Sequence, residues 1–265
     1  MSNNNIENRQ AAVNEVLYHI KLSQQMIEGA DIAILPGDPG RVKYLADMLD
    51  AQNKFLACNR EYASHLCTVG DKKVLVVSTG MGGPSVAIGV EELAMIGIKK
   101  FIRVGTCGTI QEHINIGDLI LTTASVRLDG ASMHYAPIEY PAVASFKLNS
   151  GLFEAANSLN VKVHVGVTGS SDTFFPGQER FDSYSGYVRN YFKNSVSEWR
   201  KLNVLNLEME SSALLTVCSV FGLDASCICM VIAKRTASEK VDTSGYAEGM
   251  MQIIKIIKSC IESVL

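Results

Sequence analysis

The feature that most constrains the fold is an alternation of short apolar runs, each ended by glycine or proline, with longer segments of helical period. Several runs are rich in valine and isoleucine and apolar on both faces, which is typical of strands in a sheet covered by helices. Strands are predicted at residues 30–37, 72–80, 99–106, 118–128, 163–171, 203–210 and 227–235. Helices are predicted at residues 41–49, 84–97, 211–222 and 246–265. This order predicts an α/β layered fold with a mostly parallel or mixed central sheet.

No repeat, low-complexity tract or linker divides the chain. We therefore expect a single domain over residues 1–265, with a flexible N-terminus at residues 1–12. Residues 181–199 are polar, aromatic and irregular, which predicts an excursion from the sheet.

Charge and hydropathy exclude several classes of function. A net charge of −3 argues against nucleic acid as a partner, because proteins that bind phosphate backbones are usually basic. No apolar run resembles a signal peptide or approaches the length of a membrane span, so we expect a soluble, cytoplasmic protein. The cysteines show no metal-ligand spacing and are expected to be reduced, buried thiols.

Arg41 stands in an electrostatically unfavourable place. In "PGDPGR", residues 36–41, Asp38 suits a helix N-cap and Pro39 suits the first helical position. The interaction of a cation in the first turn with the helix dipole is unfavourable by about 0.3–1 kcal/mol of free energy. An anion at the exposed N–H groups would reverse that sign.

Arg103 is the second unexpected cation, because "FIRVG" places it inside an apolar strand. Burying a guanidinium is costly unless it is paired, so a structural carboxylate and a bound anion both remain open as partners. Glycine-rich loops follow this strand at residues 105–108 and the preceding one at residues 80–85. Ligands in open α/β sheets collect at the carboxyl ends of strands, so the pattern predicts a site for a small oxyanion such as phosphate.

Two further stretches carry candidate binding groups. "LEMESS" places Glu208 and Glu210 two apart before a helix; Glu210 either complements the helix dipole or accepts hydrogen bonds from sugar hydroxyls. "SSDTFFPGQER", residues 170–180, combines aromatic side chains with Gln178 and Arg180. That combination is typical of a surface that stacks a flat ring and hydrogen-bonds its edge.

Taken in order, these motifs resemble the nucleoside phosphorylase family, and among its members those that act on uridine. The resemblance runs from about residue 16 to 237 and rests on PGDPGR, REY, STGMGGPS, RVGTCG, TTASVRLDGAS, SSDTFFPGQER and LEMES. It implies a three-layer α/β fold with a mixed, barrel-like sheet flanked by helices. The implied activity is a pentosyltransferase reaction of pyrimidine salvage, in which inorganic phosphate converts uridine to uracil and ribose 1-phosphate with inversion at C1′.

The resemblance also implies roles for individual residues. The phosphate would be held by Gly37, Arg41, Arg103 and Thr106, with Arg60 reaching in from a neighbouring subunit. The ribose would be held by Thr106, Met209 and Glu210, with His19 of the neighbour. The base would be held by Cys107, Gly108, Phe174, Gln178, Arg180 and Arg235. The residues implied to act on the breaking bond are Arg103, Gln178, Arg180 and Glu210.

No cofactor is required in such a reaction, but the resemblance implies a monovalent cation, K⁺, between paired subunits. Its ligands would be Glu61, Met81 and Ser85. The expected assembly is a homohexamer built as a trimer of dimers.

The sequence also departs from the family pattern. Cys107 stands where threonine is expected, and Asn59 precedes Arg60 where histidine is expected. The stretch "IAKRT" lacks the aspartate of purine-specific members, which favours a pyrimidine. A nucleoside hydrolase of this fold would not need the three arginines implied to bind phosphate, Arg41, Arg60 and Arg103. A non-catalytic nucleoside-binding protein could also lack them, so their presence weighs against both alternatives. After residue 237 the resemblance fades, so the sequence does not predict the geometry of the segment that would cover the site there.

Overall fold

The structure is a computed structural model that describes residues 15–264. The predicted flexible segment at residues 1–12 lies outside the described residues. The strands are β1 Ile32–Pro36, β2 Lys54–Asn59, β3 Tyr62–Val69, β4 Lys72–Val77, β5 Lys100–Thr109, β6 Leu119–Leu128, β7 Ala142–Val143, β8 Val163–Ser171, β9 Val204–Glu208 and β10 Asp224–Lys234. The helices are α1 Val42–Leu49, α2 Gly83–Met95, α3 Phe146–Ser158, α4 Ser195–Lys201, α5 Ser211–Val220 and α6 Tyr246–Ser263.

The sheet closes on itself at one end. β5 pairs with both β9 and β10, and the order β10-β6-β8-β9-β5 completes a ring of strands. Three pairings in the ring are parallel (β5–β10, β6–β8 and β8–β9), whereas β10–β6 and β5–β9 are antiparallel. From β5 the sheet continues outward through β1, β4, β3 and β2. The predicted mixed, barrel-like sheet is confirmed.

Helices cover the extended part of the sheet on both faces. Successive side chains of a strand point to opposite faces, and in β1 Ile34 belongs to one buried cluster while Ala33 and Leu35 belong to another. The first cluster receives α1, α3 and α6, and the second receives α2 and α5. Burial on both faces is the reason that the central strands are apolar throughout.

The β2–β3 hairpin was not predicted. β2 is partly exposed along its length, so it lacks the apolar run that marked the central strands. Its turn, Arg60-Glu61, also lacks the Asn-Gly or Gly signal of a tight hairpin, although Arg60 takes a positive φ of 54°.

Two helices were also missed. α3 begins after Ser145, whose side chain accepts from the Leu148 N–H, but its own residues are too polar to show a strong apolar stripe. α4 begins inside the segment predicted to be irregular, so that prediction was wrong for residues 195–199. No helix in residues 15–264 is both long and apolar enough to cross a membrane.

Candidate active site

A cavity of about 540 Å³ lies where the chain leaves β1, β4, β5, β8 and β9. The folding of the sheet brings together at this cavity most of the residues that the sequence singled out. Those that line it are Gly37, Arg41, Glu61, Met81, Arg103, Thr106, Cys107, Gly108, Phe174, Gln178, Arg180, Met209 and Glu210.

Arg103 lies at one end of the cavity and is almost fully buried. Its Nε donates to Glu208 Oε2 at 3.0 Å, and its Nη2 is paired with Glu210. Burial opposes the charge, but the Glu210 and Glu208 carboxylates outweigh it and hold the pKa of the guanidinium above its usual value. Within residues 15–264, Nη1 has no hydrogen-bond partner. Of the two partners left open by the sequence, the carboxylate is present, and the Nη1 amino group is left for a ligand.

Glu208 anchors this end of the cavity, and sequence reasoning missed its role. Its carboxylate accepts from the backbone N–H of Glu210 at 2.9 Å, from the N–H of Ser211 at 3.0 Å and from the Ser211 hydroxyl at 2.6 Å. It therefore serves the N-terminus of α5, whereas Glu210 makes no side-chain capping hydrogen bond there. The signal available in the sequence was the spacing of the two glutamates on one side of an extended strand.

Glu210 joins Arg103 to the loop after β4. Its Oε1 accepts from the Gly82 N–H at 2.6 Å, while Oε2 meets the guanidinium. Burial, followed by the nearby Glu208 carboxylate, raises the pKa of Glu210 against the opposing charge of Arg103. The carboxylate that was expected to face a sugar is thus held at the cavity wall by a backbone N–H group and a cation.

Two glycines let the loops after β1 and β4 touch beside Arg103. The Gly80 N–H donates to Gly37 O at 2.8 Å. A Cβ on Gly37 would lie 3.1 Å from Gly80 O and 3.9 Å from Arg103 Nη1. A side chain at Gly37 would therefore crowd the space next to Nη1 of Arg103.

The loop after β8 forms another part of the cavity wall. Gln178 is buried in a 3₁₀ turn, Pro176–Gln178, with its Nε2 3.5 Å from Glu208 O. The Arg180 guanidinium lies 4.2 Å from the Phe174 ring centroid. Its Nη1 donates to Glu239 O at 2.9 Å and lies 3.2 Å from the Glu239 carboxylate. Burial lowers the pKa of Arg180, and Glu239 opposes the shift.

Arg235 does not line the cavity. Its Nε and Nη2 donate to the Glu239 carboxylate at 2.7 and 3.0 Å. Arg235, which was expected at the base, is therefore linked to the cavity through Glu239, since Arg180 and Arg235 both bind this glutamate.

Arg60, His19 and Ser85 also lie outside the cavity lining. Arg60 is exposed at the β2–β3 turn, and the neighbouring Asn59 donates from Nδ2 to His19 O at 2.7 Å. His19 is fixed by Glu92, with Nδ1 2.6 Å from Oε1. The fold thus brings Arg60 and His19 to one surface, outside the cavity lining of their own chain.

A sequence profile of the phosphorylase superfamily matches residues 31–262. The chain belongs to this superfamily. The match begins just before β1 and ends within α6, so it includes every strand and loop that lines the cavity.

Several relatives in the phosphorylase superfamily are similar over most of their length. The chain is 49% identical over 241 residues to a protein named uridine phosphorylase from Escherichia coli, covering 91% of this chain and 95% of the relative. It is 45% identical over 249 residues to a uridine phosphorylase from Haemophilus influenzae, covering 94% and 98%. A guanosine phosphorylase from Halorubrum lacusprofundi is 35% identical over 201 residues, covering 76% and 77%.

Proposed function

We propose that this chain is a single phosphorylase domain, residues 1–265, that cleaves uridine reversibly with inorganic phosphate to give uracil and ribose 1-phosphate. The observation that carries the proposal is one cavity lined by two buried arginines, Arg103 and Arg180. Arg103 beside glycine loops provides an anion site, and Phe174, Gln178 and Arg180 provide a planar, hydrogen-bonding one. Relatives named uridine phosphorylase, similar over nine-tenths of the chain, support the same assignment.

Phosphate is proposed to bind between Arg41 and Arg103, next to Gly37 and Thr106. Guanidinium groups suit a dianion because they donate in a planar fork, and the free Nη1 of Arg103 faces this region. Glu210 and Met209 would receive the ribose hydroxyls on the neighbouring wall, where Arg103 would contact both substrates.

The bond that breaks is the glycosidic bond between C1′ and the base nitrogen. As it breaks, positive charge grows on the sugar and negative charge on the departing uracil. Gln178 and Arg180 would donate to the uracil edge, and fixed donors of this kind are typically worth about 2.7–4 kcal/mol each. Phosphate, held on the opposite face, would stabilise the cationic sugar and then attack C1′ with inversion. Cys107 and Gly108 would lie beside the base, with Arg235 acting through Glu239.

A complete site is proposed to need a second copy of the chain. Arg60 and His19 share one surface through Asn59 and would reach the neighbour's phosphate and ribose. A trimer of such dimers would give the expected hexamer.

K⁺ is proposed at the same subunit contact. The Ser85 hydroxyl lies 3.2 Å from Met81 O, and the Glu61 side chain packs on Gly80, so oxygen donors of the type that K⁺ accepts are close together. The ion would bring positive charge beside the phosphate site.

One assay tests the function against its rivals. Ultraviolet absorbance is followed for uridine and for inosine, each with and without inorganic phosphate. We expect uridine to be cleaved only when phosphate is present, with inosine turned over far more slowly. Equal cleavage of uridine without phosphate would indicate a hydrolase, preference for inosine a purine phosphorylase, and no cleavage a nucleoside-binding protein.

A further inference from the structure

Arg41 receives little support from acidic side chains. Its one ion pair within residues 15–264 is with Asp38, at 3.7 Å, and the Asp38 side chain is 58% exposed. Exposed pairs of this length hold a long side chain weakly. Another contact must therefore orient the guanidinium that faces the cavity.

The aromatic ring of Tyr246 makes that contact. The Arg41 Cζ lies 4.8 Å from the Tyr246 ring centroid, within the range of a cation–π interaction. Tyr246 itself is absent from the cavity lining, whereas Arg41 is part of it. A stacked ring leaves the N–H groups of a guanidinium free, unlike a carboxylate that would occupy them.

Tyr246 is held on a rigid support. It is the first residue of α6 and packs against the core. α6 is seated tightly on β10, since a Cβ on Gly249 would lie 2.3 Å from Met230 Sδ. The Tyr44 hydroxyl, from α1, also donates to Ala247 O at 3.4 Å. The ring therefore joins the start of α1, where Arg41 lies, to the start of α6.

Tyr246 directly follows residues 236–245, a segment that lies beside the cavity. Within this segment Glu239 binds Arg180, and Val241 lines the cavity. The segment is thus attached to the base end through Glu239 and to the phosphate end through the Tyr246 ring.

We infer that Tyr246 is a positioning residue that orients Arg41 for phosphate and fixes one end of the 236–245 segment. The inference rests on the proposed function, because it assigns Arg41 to phosphate. The ring face carries the role and the hydroxyl does not, since the hydroxyl is buried without a partner in the described part of the chain.

The test compares Tyr246→Leu, which removes the π face, with Tyr246→Phe, which keeps it. We expect Leu to raise the KM for phosphate about three- to tenfold, with kcat and the KM for uridine within about twofold of the parent. Phe is expected to match the parent. Tyr44→Phe, which alters the same helix junction without touching the ring, serves as the control and is also expected to match.

A second readout does not depend on turnover: inorganic phosphate should raise the Tm of the parent and of Tyr246→Phe more than that of Tyr246→Leu. If the parent gains Tm with phosphate but cleaves no uridine, the proposed function fails and the positioning role can still be measured. If the Leu variant does not fold, Tyr246→Met, also without a π face, replaces it. Equal phosphate responses in all folded variants, or a loss in Phe as large as in Leu, would overturn the inference.

Discussion

Arg103 and Arg180, two buried arginines that line the cavity, are held in different ways. Arg103 lies in β5, and its carboxylate partners, Glu208 and Glu210, are only 1% and 6% exposed. Arg180 follows β8 in a loop, and its partners, Asp182 and Glu239, are 47% and 35% exposed. One guanidinium is therefore fixed by the sheet, and the other by segments at the surface.

The pKa values of Arg103 and Arg180 shift in opposite directions because their charged neighbours differ. Burial lowers both pKa values, but two buried carboxylates hold the pKa of Arg103 above its usual value. The pKa of Arg180 stays lowered, because the Arg235 cation adds to the effect of burial and the partly exposed carboxylate partners of Arg180 do not offset it. The comparison teaches that the proposed phosphate end is preorganised by the sheet, whereas Arg180, at the proposed base end, is held partly by Glu239 of the 236–245 segment.

The largest effect is expected from Arg103→Ala. Phosphate-dependent turnover should fall roughly a thousandfold or more, because the variant removes the donor between phosphate and ribose. Glu208 and Glu210 would be left buried without a cation, which should lower the free energy of unfolding by about 3–5 kcal/mol. Steady-state kinetics measures the turnover, and urea unfolding measures the free energy of unfolding. Near-normal turnover in the folded variant would refute the phosphate assignment.

Glu208→Gln tests how Arg103 is held. The amide is isosteric but loses the charge and turns an NH₂ group toward donors that the carboxylate satisfied, at a cost of about 1–3 kcal/mol in unfolding free energy. The KM for phosphate should rise by about tenfold as the guanidinium loses its fixed orientation. An unfolding free energy equal to that of the parent would contradict a rigid phosphate end.

Glu239→Gln is the matched change at the base end and should have the smallest effect. Its ion pairs are partly solvated, so the unfolding free energy should change by less than about 1 kcal/mol. The KM for uridine should rise about three- to fivefold with the KM for phosphate unchanged, because Arg180 and Arg235 lose a shared partner. Should this variant lose as much stability as Glu208→Gln, the two ends would be equally rigid and the comparison would fail.

Much of the fold was predictable because its central strands are buried on both faces and carry continuous apolar runs. β1, β4, β5, β6, β8, β9 and β10 were all expected from this signal. β2 was not, because a partly exposed strand at the edge of a sheet shows no such run, and β3 was not, because its buried sequence is interrupted by Ser64, His65 and Thr68. α3 was missed because its residues are too polar to show a strong apolar stripe.

The two arginines at the proposed phosphate site were predictable from their unfavourable places, whereas most of the other candidate residues that line the cavity were implied only by the family resemblance. Arg41 in a first helical turn and Arg103 in an apolar strand both pointed to an anion, and both line the cavity. Sequence reasoning gave no role to three residues at or beside the cavity: Glu208, Glu239 and Tyr246. A glutamate before a helix, a glutamate in a loop and a tyrosine at the start of a helix are all common, so none of them signals a site. Each gains its role from a neighbour that is distant in the chain.

By itself, the sequence determined the layered α/β architecture and the family, since periodicity, glycine positions and ordered motifs are local properties of the chain. The tertiary structure alone decided how each cation is held. Arg103 and Glu208 are separated by 105 residues and meet only because the barrel closes β9 against β5. The partners of a buried charge depend on that closure, and no local pattern specifies it.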